Sequence, residues 1–513
     1  MNKIELSVVI PCLNEENYIS DCIDSILMGK FDLAKLEIIV CDGGSTDKTL
    51  LLLEGFKSRC NLKIIHNEFQ KTPFAMNLGI KNSIGDYIAI VGAHSKLPSN
   101  YFSDLIKSLH NLKADNVGGV LETCVKSDNK LSNSIAAVLS DKLGVGNSTF
   151  RTGAIEPTQV DTVPFGLYKK EIFNEFGYLD TRLVRGQDLE FNKRLITAGK
   201  KIVLIPEIKL KYYCKESLTG IFKHYFRTGY WVINLPILTS KLTSVGVRHI
   251  TPLFFSVGFI ANLLFLFSGY KYLLPFYLIY LMIISVRSFQ INNEKRSIVL
   301  LILTFFCLHF SYGLGSLYAV NEFFFKCLIG LLSRLIACLI FILALPILIL
   351  VSLIIKFTSK GPVIHWSKRV GKNNKIFLMP KFRSMYIDTP DVATHLLNNS
   401  ESFITPIGKV IRKTSIDELP QLLSIIKGDM NFVGPRPALF NQDDLIELRK
   451  FYSVDKIKPG VTGWAQINGR DEIEIPLKVK LDTEYLIKRS FFFNIKIIFL
   501  TFYNVLLKKG IKH

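Results

Sequence analysis

The chain has 513 residues, of which 49% are hydrophobic, and a mean hydropathy of +0.29; these values argue against a single compact domain and against a wholly soluble or disordered protein. Lysine and arginine number 63 against 43 aspartates and glutamates, and the net charge of +20 predicts an anionic partner: nucleic acid, a phosphorylated ligand or an anionic lipid surface. The nine cysteines include no C-x-x-C pair, which argues against a zinc module or a disulfide framework and favours a reducing compartment.

The first 240 residues have the pattern of an α/β domain with a largely parallel sheet. Short β-branched runs (LSVVIP, LEIIVCD, YIAIVG and KIVLIP) alternate there with polar helical stretches. The first residues, MNKIELSVVIP, lack the basic segment and the long apolar core of a secretory signal, so we expect this domain to lie in the cytoplasm.

Three apolar segments follow, at 251–267, 272–286 and 298–320, each near the ~20 residues that cross a bilayer. Lysines and arginines flank the first two, which predicts a hairpin with both ends inside. The end of the third contains His309 and two glycines, which disfavours a lipid-facing span, so we interpret it as an interfacial or half-inserted element.

A fourth apolar run, 327–356, contains Pro346, which removes a helical hydrogen bond and predicts a kinked or re-entrant helix. The remaining chain is polar, basic and rich in glycine and proline, so a second cytoplasmic domain is expected, ending in either an interfacial or a core helix. The predicted division is a first domain at 1–248, membrane or interfacial helices at 249–320, and a last domain at 321–513.

Two predicted strands of the first domain end in polar motifs, P-C-L-N-E-E (11–16) and C-D-G-G-S-T-D-K-T (41–49). Ligands bind at the carboxyl ends of parallel strands, so Asp42 and its glycines suit the base and ribose of a nucleotide. The alternative is that this motif only makes a turn and caps a helix. Further along, Asp188 and Glu190 precede a helical stretch, where a buried acid could deprotonate a sugar hydroxyl.

With these motifs, residues 1–240 resemble a family 2 glycosyltransferase of the GT-A fold. Further pieces resemble its succinoglycan-type branch: L-G-V-G-N-S-T-F-R (143–151), V-D-T-V-P-F-G (160–166), Q-D-L-E (187–190) and H-F-S-Y-G-L-G (309–315). The resemblance implies transfer of a sugar from a nucleotide donor, with Asp188 as the general base. It also implies that substrate is bound by Glu15, Asp42 and Glu190.

One departure from that family concerns its metal motif. Where the family carries D-x-D or D-A-H, this chain has V-G-A-H, with Gly92 in place of the first aspartate and His94 as the remaining metal-ligand candidate. Three interpretations stay open: Mg²⁺ or Mn²⁺ is held differently, basic residues neutralise the diphosphate, or the site is degraded.

The last domain contains five dense islands: G-P-V-I-H-W-S-K-R-V-G (361–371), K-F-R-S-M (381–385), I-R-K-T-S-I-D-E-L-P-Q-L (411–422), K-G-D-M-N-F-V-G-P-R-P (427–437) and K-P-G-V-T-G-W-A-Q-I-N-G-R (458–470). Cations and glycines around one acid pair, Asp417 and Glu418, indicate phosphoryl transfer. The structural alternative is a capping box from Ser415 to Glu418, with the arginines as solvated surface charge. A carboxylate at a helix start can also bind Mg²⁺ or act as a nucleophile.

From about Lys326 onward the islands resemble the bacterial sugar transferases, which are monotopic polyprenyl-phosphate phosphoglycosyl transferases. The resemblance implies a re-entrant helix followed by a small mixed α/β domain. It also implies that Asp417 attacks a UDP-sugar, expels UMP and passes the phosphosugar to a polyprenyl phosphate. Asp417 and Glu418 would hold Mg²⁺, or Glu418 would manage the proton of the acceptor. The candidate substrate-binding residues are Lys381, Arg383, Arg412, Arg436, Gln466 and Arg470.

Together these features predict a bifunctional membrane enzyme of surface glycan assembly. The second half would prime undecaprenyl phosphate from a UDP-sugar with Mg²⁺, and the first half would add the next sugar to the lipid-linked product. We expect both domains on the cytoplasmic side of a bacterial inner membrane, with no nucleic-acid partner and with homo-oligomerisation left open. The rivals are a processive polysaccharide synthase, suggested by H-Y-F-R-T-G-Y-W (224–231), a phosphoglycosyl transferase with an inactive first domain, and a membrane scaffold or nucleic-acid binder.

Overall fold

The computed structural model describes residues 3–239, 247–268, 273–387, 389, 400–469 and 473–506. The chain divides into two compact units, Met1–Phe323 and Phe324–His513. The division falls inside one long helix, α13 (Ile298–Thr358), so no linker sequence marks it.

The first unit is built from eight strands and the helices around them. Its strands are β1 (Leu6–Cys12), β2 (Leu36–Asp42), β3 (Leu62–His66), β4 (Tyr87–Ile90), β5 (Asn116–Cys124), β6 (Thr158–Gln159), β7 (Leu167–Lys169) and β8 (Ile202–Tyr213). Its helices before α13 are α1 (Ile19–Leu27), α2 (Thr49–Phe56), α3 (Thr72–Asn82), α4 (Tyr101–Asn111), α5 (Lys130–Leu139), α6 (Lys142–Val145), α7 (Thr149–Thr152), α8 (Lys170–Phe176), α9 (Gln187–Thr197), α10 (Leu218–Thr239), α11 (Val247–Phe267) and α12 (Leu274–Ile291).

All eight strands form one sheet in the order β3-β2-β1-β4-β7-β5-β8-β6. The pairs among β3, β2, β1 and β4 are parallel, as is the β5–β8 pair, whereas β7 and β6 run antiparallel to their neighbours. Both faces of the sheet are covered, so the β-branched runs of β1 and β2 are almost fully buried. The prediction of a GT-A-type α/β domain is confirmed.

Two helices, α12 and α13, are long and apolar enough to cross a membrane among the residues that the structure describes. The apolar part of α11, His249–Phe265, is shorter than that standard. Large apolar side chains are exposed on these helices, for example 60% of Met282 and 70% of Leu343. Such surface is costly in water, which favours a lipid environment for this region.

The third and fourth apolar segments, which the sequence treats as separate, form the single helix α13 of 61 residues. The intervening N-E-F-F-F-K (321–326) contains neither glycine nor proline, so nothing there stops the helix. Pro346 lies inside α13 and the helix continues beyond it, so the proline does not end the helix; the kink predicted there stays a prediction. One missing hydrogen bond does not end a helix that has many others. Whether the chain crosses the bilayer or re-enters it stays a prediction.

The polar end of segment 298–320 faces protein. His309 Nε2 lies 2.9 Å from the carbonyl oxygen of Leu143, and its Nδ1 lies 2.9 Å from the hydroxyl of Tyr280. A Cβ on Gly315 would collide with the backbone oxygen of Phe226 in α10, so the glycine permits close helix packing. This packing explains why the segment reads as a poor lipid-facing span.

The second unit continues from α13 as a small mixed α/β domain. Its strands are β9 (Ile364–Val370), β10 (Ile376–Phe382), β11 (Asn431–Val433) and β12 (Gly460–Thr462). Its helices are α14 (Pro406–Lys413), α15 (Leu422–Lys427), α16 (Asp443–Phe451), α17 (Trp464–Ile467), α18 (Ile475–Lys488) and α19 (Phe491–Leu506). β9 and β10 form an antiparallel hairpin, and β11 pairs in parallel with β12.

The last helix, α19, combines the two alternatives predicted for the C-terminal segment. Ile497 is fully buried and packs in a cluster with Val433 and Tyr485. On its exposed side, 80% of Phe492 and 67% of Phe499 are accessible. The helix is therefore a core helix on one face and carries an interfacial type of surface on the other.

Candidate active sites

The acid pair of the second unit lies in a short 3₁₀ helix, Ile416–Gln421, which follows α14 after two residues. The chain enters this turn through Ser415, whose φ of 57° is in the left-handed region. The Ser415 side chain makes no capping hydrogen bond, so the capping box of the structural alternative does not form. The Glu418 side chain is thereby available for another partner.

That partner is Lys381, near the end of β10. Its Nζ donates a hydrogen bond of 2.8 Å to Oε1 of Glu418, and Nη2 of Arg436 lies 3.5 Å from the same oxygen. Both members of the closer pair are largely buried, with 18% of the Lys381 side chain and 23% of the Glu418 side chain exposed. The structure thus brings together residues from three islands that lie far apart in the sequence.

The two carboxyl groups have opposite pKa shifts. Burial raises the pKa of Asp417 to about 6; the negative charge of Glu418 adds to this, while Lys381 opposes it. Burial also disfavours ionised Glu418, but the charges of Lys381 and Arg436 more than offset it and lower its pKa to about 2. At neutral pH both groups are ionised, and Asp417 is the more basic, hence the better nucleophile of the pair.

Arg412 and Arg383 have different positions relative to the acid pair. The charge of Arg412 acts on Asp417, so this arginine is close enough to serve the site. Arg383 is 6% exposed, and its guanidinium donates to Ser359 and to the backbone oxygen of Lys360, just after α13 ends. The unpaired carbonyls at a helix C-terminus attract a guanidinium, which explains why Arg383 lies there and not at the acid pair.

The remaining predicted residues of this site are Gln466 and Arg470. Gln466 Nε2 donates to the backbone oxygen of Val461 at 3.0 Å, whereas its Oε1 is buried and has no hydrogen-bond partner in the part of the chain that the structure describes. A buried acceptor without a donor is costly, so Oε1 is available to a ligand. Arg470 lies outside the described residues.

A metal ion at the acid pair would have two carboxylate ligands from the protein, Asp417 and Glu418. Within the described ranges there is no group of three or more histidine, cysteine, aspartate and glutamate side chains that could hold a metal ion. Mg²⁺ is commonly held by one or two carboxylates together with substrate phosphates, and Asp417 with Glu418 fits that pattern. The pair does not fit an all-protein cage, so the ion would arrive with its phosphate ligands.

In the first unit, the Asp42 carboxylate accepts hydrogen bonds from the loop that follows it. Its Oδ2 accepts hydrogen bonds from the backbone of Gly44 at 2.8 Å and of Ser45 at 2.9 Å, and its Oδ1 accepts one from the Ser45 hydroxyl at 2.5 Å. The side chain is only 2% exposed. Asp42 therefore stabilises a turn, as the structural alternative for the motif at 41–49 predicted. Contact of Asp42 with a nucleotide stays a prediction.

Glu15 and His94 meet at the ends of the neighbouring strands β1 and β4. His94 Nδ1 lies 3.5 Å from Oε1 of Glu15. Gly92, which stands where the family motif has its first aspartate, lies against an aromatic ring. A Cβ at this position would lie 2.9 Å from the ring of Phe165. The ring fills the space in which the aspartate of the family motif would begin, so the substitution is built into the local packing.

Asp188 and Glu190 lie in different surroundings on α9. Asp188 faces a cavity of about 300 Å³ between residues 184–189 and α10, where water reaches its side chain. The protein around it nevertheless desolvates the carboxylate and raises its pKa, which makes it a stronger base. Glu190 is instead 9% exposed and pairs with Arg194 at 2.9 Å, so it stabilises the helix and lies off the cavity.

Sequence reasoning did not assign the residues that line this cavity opposite Asp188. Thr228 and Trp231 of α10 form that wall, together with Val232 and Leu235. Thr228 and Trp231 belong to the H-Y-F-R-T-G-Y-W motif (224–231), which the sequence analysis connects only with the processive rival. The signal was present in the sequence, but only the fold places it beside Asp188.

Fold and site together define the class as a two-domain transferase, and the comparisons agree. Glycosyl transferase family 2 matches residues 7–177, and Bacterial sugar transferase matches residues 324–508. The chain belongs to both families, one in each unit, so both resemblances are confirmed. Because both are families of transferases, the expectation of an enzyme is also confirmed.

Three relatives illustrate the similarity. The chain is 42% identical over 177 residues to the undecaprenyl-phosphate glucose phosphotransferase of Komagataeibacter xylinus, covering 32% of this chain and 33% of that protein. It is 43% identical over 159 residues to the uncharacterised sugar transferase EpsL of Bacillus subtilis (strain 168), covering 31% of this chain and 77% of that protein. The chain thus spans about a third of the first relative and most of the second.

The third relative is an archaeal enzyme. The chain is 33% identical over 233 residues to the dolichyl N-acetyl-alpha-D-glucosaminyl phosphate 3-beta-D-2,3-diacetamido-2,3-dideoxy-beta-D-glucuronosyltransferase of Methanococcus voltae, covering 44% of this chain and 71% of that protein. The names of the first and third relatives both refer to sugar transfer involving a polyprenyl-type lipid phosphate.

Proposed function

We propose that the chain is a bifunctional membrane enzyme that builds a lipid-linked oligosaccharide for a surface glycan. The second unit transfers a sugar 1-phosphate from a UDP-sugar to undecaprenyl phosphate, and the first unit adds the next sugar from a nucleotide donor. The observation that carries this proposal is the buried acid pair, in which Lys381 Nζ donates a hydrogen bond of 2.8 Å to Glu418 while the pKa of Asp417 is raised. The names of the relatives support the lipid and the class of donor.

The first chemical step takes place on the phosphorus that bears the sugar. A carboxylate oxygen of Asp417 forms a bond to this phosphorus, the bond to the bridging oxygen breaks, and UMP leaves with the electron pair. Ionised Asp417 needs no base for this attack, which suits a group whose pKa is about 6. Lys381 and Arg436 are near enough to balance the phosphate charge that builds up.

In the second step, an oxygen of undecaprenyl phosphate attacks the same phosphorus and Asp417 leaves as a carboxylate. The product is a diphosphate-linked lipid sugar, and the enzyme is regenerated. The low pKa of Glu418, about 2, makes this group a poor proton carrier. Of its two predicted roles, holding Mg²⁺ and the neighbouring cations is therefore favoured over managing the proton of the acceptor.

The first unit then extends the lipid-linked sugar. Asp188, in its cavity, acts as the base that removes the proton of the acceptor hydroxyl, while the nucleotide donor lies at the strand ends near Glu15 and His94. Mg²⁺ or Mn²⁺ at that end remains part of the proposal. A phosphoglycosyl transferase with an inactive first unit is the second candidate, favoured by the filled space at Gly92.

The proposed location is a bacterial inner membrane with both units on the cytoplasmic side. The apolar helices α12 and α13 support membrane association, and the lysines and arginines that flank the apolar segments support the orientation. Fixing both sites to one membrane raises the effective concentration of an intermediate that cannot leave the bilayer.

The test uses the purified full-length protein with undecaprenyl phosphate and a panel of UDP-sugars, with UMP and UDP measured separately. The proposal expects UMP from the priming step with at least one sugar, and UDP only when the lipid product and a second donor are present. UDP without UMP would point to the processive rival, and UMP without any later extension would point to the inactive first unit.

A further inference from the structure

A cluster of cations surrounds His224 in the first unit. The charged groups that act on this imidazole are all positive, and burial with their repulsion lowers its pKa to about 3, so the ring is neutral. The cluster is formed by Arg151 of α7, Arg185 before α9, Lys215 after β8 and Arg227 of α10. We call these four residues the basic cluster.

Within the described ranges, no carboxylate forms an ion pair with a member of the basic cluster, and the Arg151 guanidinium lies 4.9 Å from the ring centroid of Tyr212. Nη1 of Arg151 is shielded from solvent and has no hydrogen-bond partner in the part of the chain that the structure describes. The carboxylate of Glu216, the acid next to Lys215, accepts hydrogen bonds from the backbone N–H groups of Lys126 and Ser127. Like charges held together without a counter-ion are unfavourable, so the arrangement calls for an anionic ligand.

The cluster adjoins the cavity that contains Asp188. Arg185 lines this cavity, and its Nη1 lies 3.5 Å from the hydroxyl of Thr228, which lines it too. A smaller cavity beside it is lined by Arg151, Lys215 and His224. An anion at the cluster would therefore lie beside the base that the proposed sugar transfer uses.

Helix α10 connects this cluster to the apolar helices. A Cβ on Gly229 would collide with the backbone oxygen of Tyr312 in α13, and one on Gly315 would collide with that of Phe226. Two glycines thus hold α10 tightly against the apolar helix over the stretch that contains His224 and Arg227. The cluster is therefore on the side of the unit that packs against its membrane-type helices.

We infer that the basic cluster binds the diphosphate of a polyprenyl-diphosphate-linked sugar and so positions the sugar hydroxyl of this acceptor at Asp188. This inference rests on the proposed function, because such a diphosphate is the product of the second unit. Guanidinium groups suit a diphosphate, since each can donate two parallel hydrogen bonds to phosphate oxygens. The prenyl chain would lie along α10 and the apolar helices.

A second source of diphosphate is the nucleotide donor, but its position is different. The donor belongs at the ends of β1 and β4, where Glu15 and His94 meet. The basic cluster instead comes from α7, the end of β8 and α10, and it lies against the apolar helices. The structure therefore favours the lipid acceptor over the donor.

The test is photo-crosslinking of the full-length protein in phosphatidylethanolamine–phosphatidylglycerol nanodiscs with a benzophenone-tagged farnesyl diphosphate. Mass spectrometry assigns the labelled peptides, which separates labelling in the first unit from labelling in the second. We expect labelling within α10 and the apolar helices of the first unit, where the prenyl chain would lie, and a loss of about tenfold or more in the double variant Arg151→Gln with Lys215→Gln. The single variant Lys215→Gln changes an exposed side chain and guards against misfolding; it should also lower labelling.

The matched control is Lys223→Gln, which removes the same charge from an exposed site on α10 that lies outside the basic cluster. It should leave the labelling unchanged, the farnesyl monophosphate probe should label less, and UDP should not compete. Labelling that is equal in all variants, or that UDP displaces, would overturn the inference. The crosslinking experiment does not require turnover. If the assay of UMP and UDP release contradicted the proposed function, the labelling pattern would therefore still test this inference.

Discussion

Lys381 Nζ lies 2.8 Å from Oε1 of Glu418, and this ion pair leaves the neighbouring Asp417 as the carboxylate with the raised pKa. Two adjacent acids thus differ in pKa by environment alone. Such a division is what an active site needs when one acid reacts and the other only holds charge.

Replacing Asp417 by asparagine should abolish UMP release, with a loss of at least about 1,000-fold, because the amide cannot form the phosphosugar ester. The thermal unfolding midpoint should not fall, because the change removes a carboxylate whose ionisation is disfavoured by burial. UMP release and the melting curve are measured on the same preparation. A folded Asp417→Asn protein with normal turnover would remove this residue from the mechanism.

The rate of UMP release should fall on the acid side with an apparent pKa near 6, because only ionised Asp417 attacks. Below that pH the rate should drop about tenfold per pH unit. The measurement is the initial rate between pH 5 and about 8 at saturating donor, with the unfolding midpoint recorded in parallel as a control. A rate that stays flat down to about pH 5 would contradict the assignment.

Replacing Lys381 by methionine should lower the free energy of unfolding by about 1–3 kcal/mol, because it leaves Glu418 with less compensation for burial. In the wild type the pKa of Glu418 is lowered from 4.5 to about 2, so its contribution to stability is present above pH 4.5 and is lost as the pH falls toward 2. Chemical unfolding at pH 7 and at pH 4 measures both effects.

The control for this pair is a double-mutant cycle with Glu418→Gln. If the ion pair is real, the double variant should lose less stability than the sum of the two single variants, with a coupling of about 1 kcal/mol or more. Additive losses would mean that Lys381 acts through another group.

Replacing Asp188 by asparagine should stop UDP release from the second donor while UMP release continues, so that the lipid-linked monosaccharide accumulates. The reason is that Asp188, which lines the cavity of the first unit, is the base in the proposed sugar transfer and has no part in the proposed chemistry of the second unit. Thin-layer chromatography of the extracted lipids shows which product builds up. Normal disaccharide formation in the folded variant would exclude the assigned role, and Asp21→Asn, an exposed acid on α1, serves as the control.

Much of the fold could be predicted from the sequence because periodicity and composition determine it locally. The alternation of buried β-branched runs with polar helices predicted the α/β sheet, and the islands predicted that Asp417 and Glu418 would meet Lys381 and Arg436. The capping box was wrong for a local reason: Ser415 adopts a left-handed backbone, which turns its side chain away from the helix start.

Other features depend on tertiary contacts that no local pattern contains. Arg383 looked like its neighbour Lys381, yet the open carbonyls at the end of α13 hold its guanidinium. The helix continues through Pro346 and joins two apolar segments that the sequence separates, because nothing in the intervening residues 321–326 ends it. The basic cluster joins residues such as Arg151 and Arg227 that are 76 positions apart by their numbers, so only the folded chain brings them together.

The most direct measurement is mass spectrometry of the enzyme treated with a UDP-sugar and quenched in acid before any lipid acceptor is added. The peptide that contains Asp417 should gain the mass of one phosphosugar, in step with one equivalent of UMP, and the Asp417→Asn protein should gain none. UMP release from the wild type without any adduct on that peptide would contradict a covalent aspartyl intermediate.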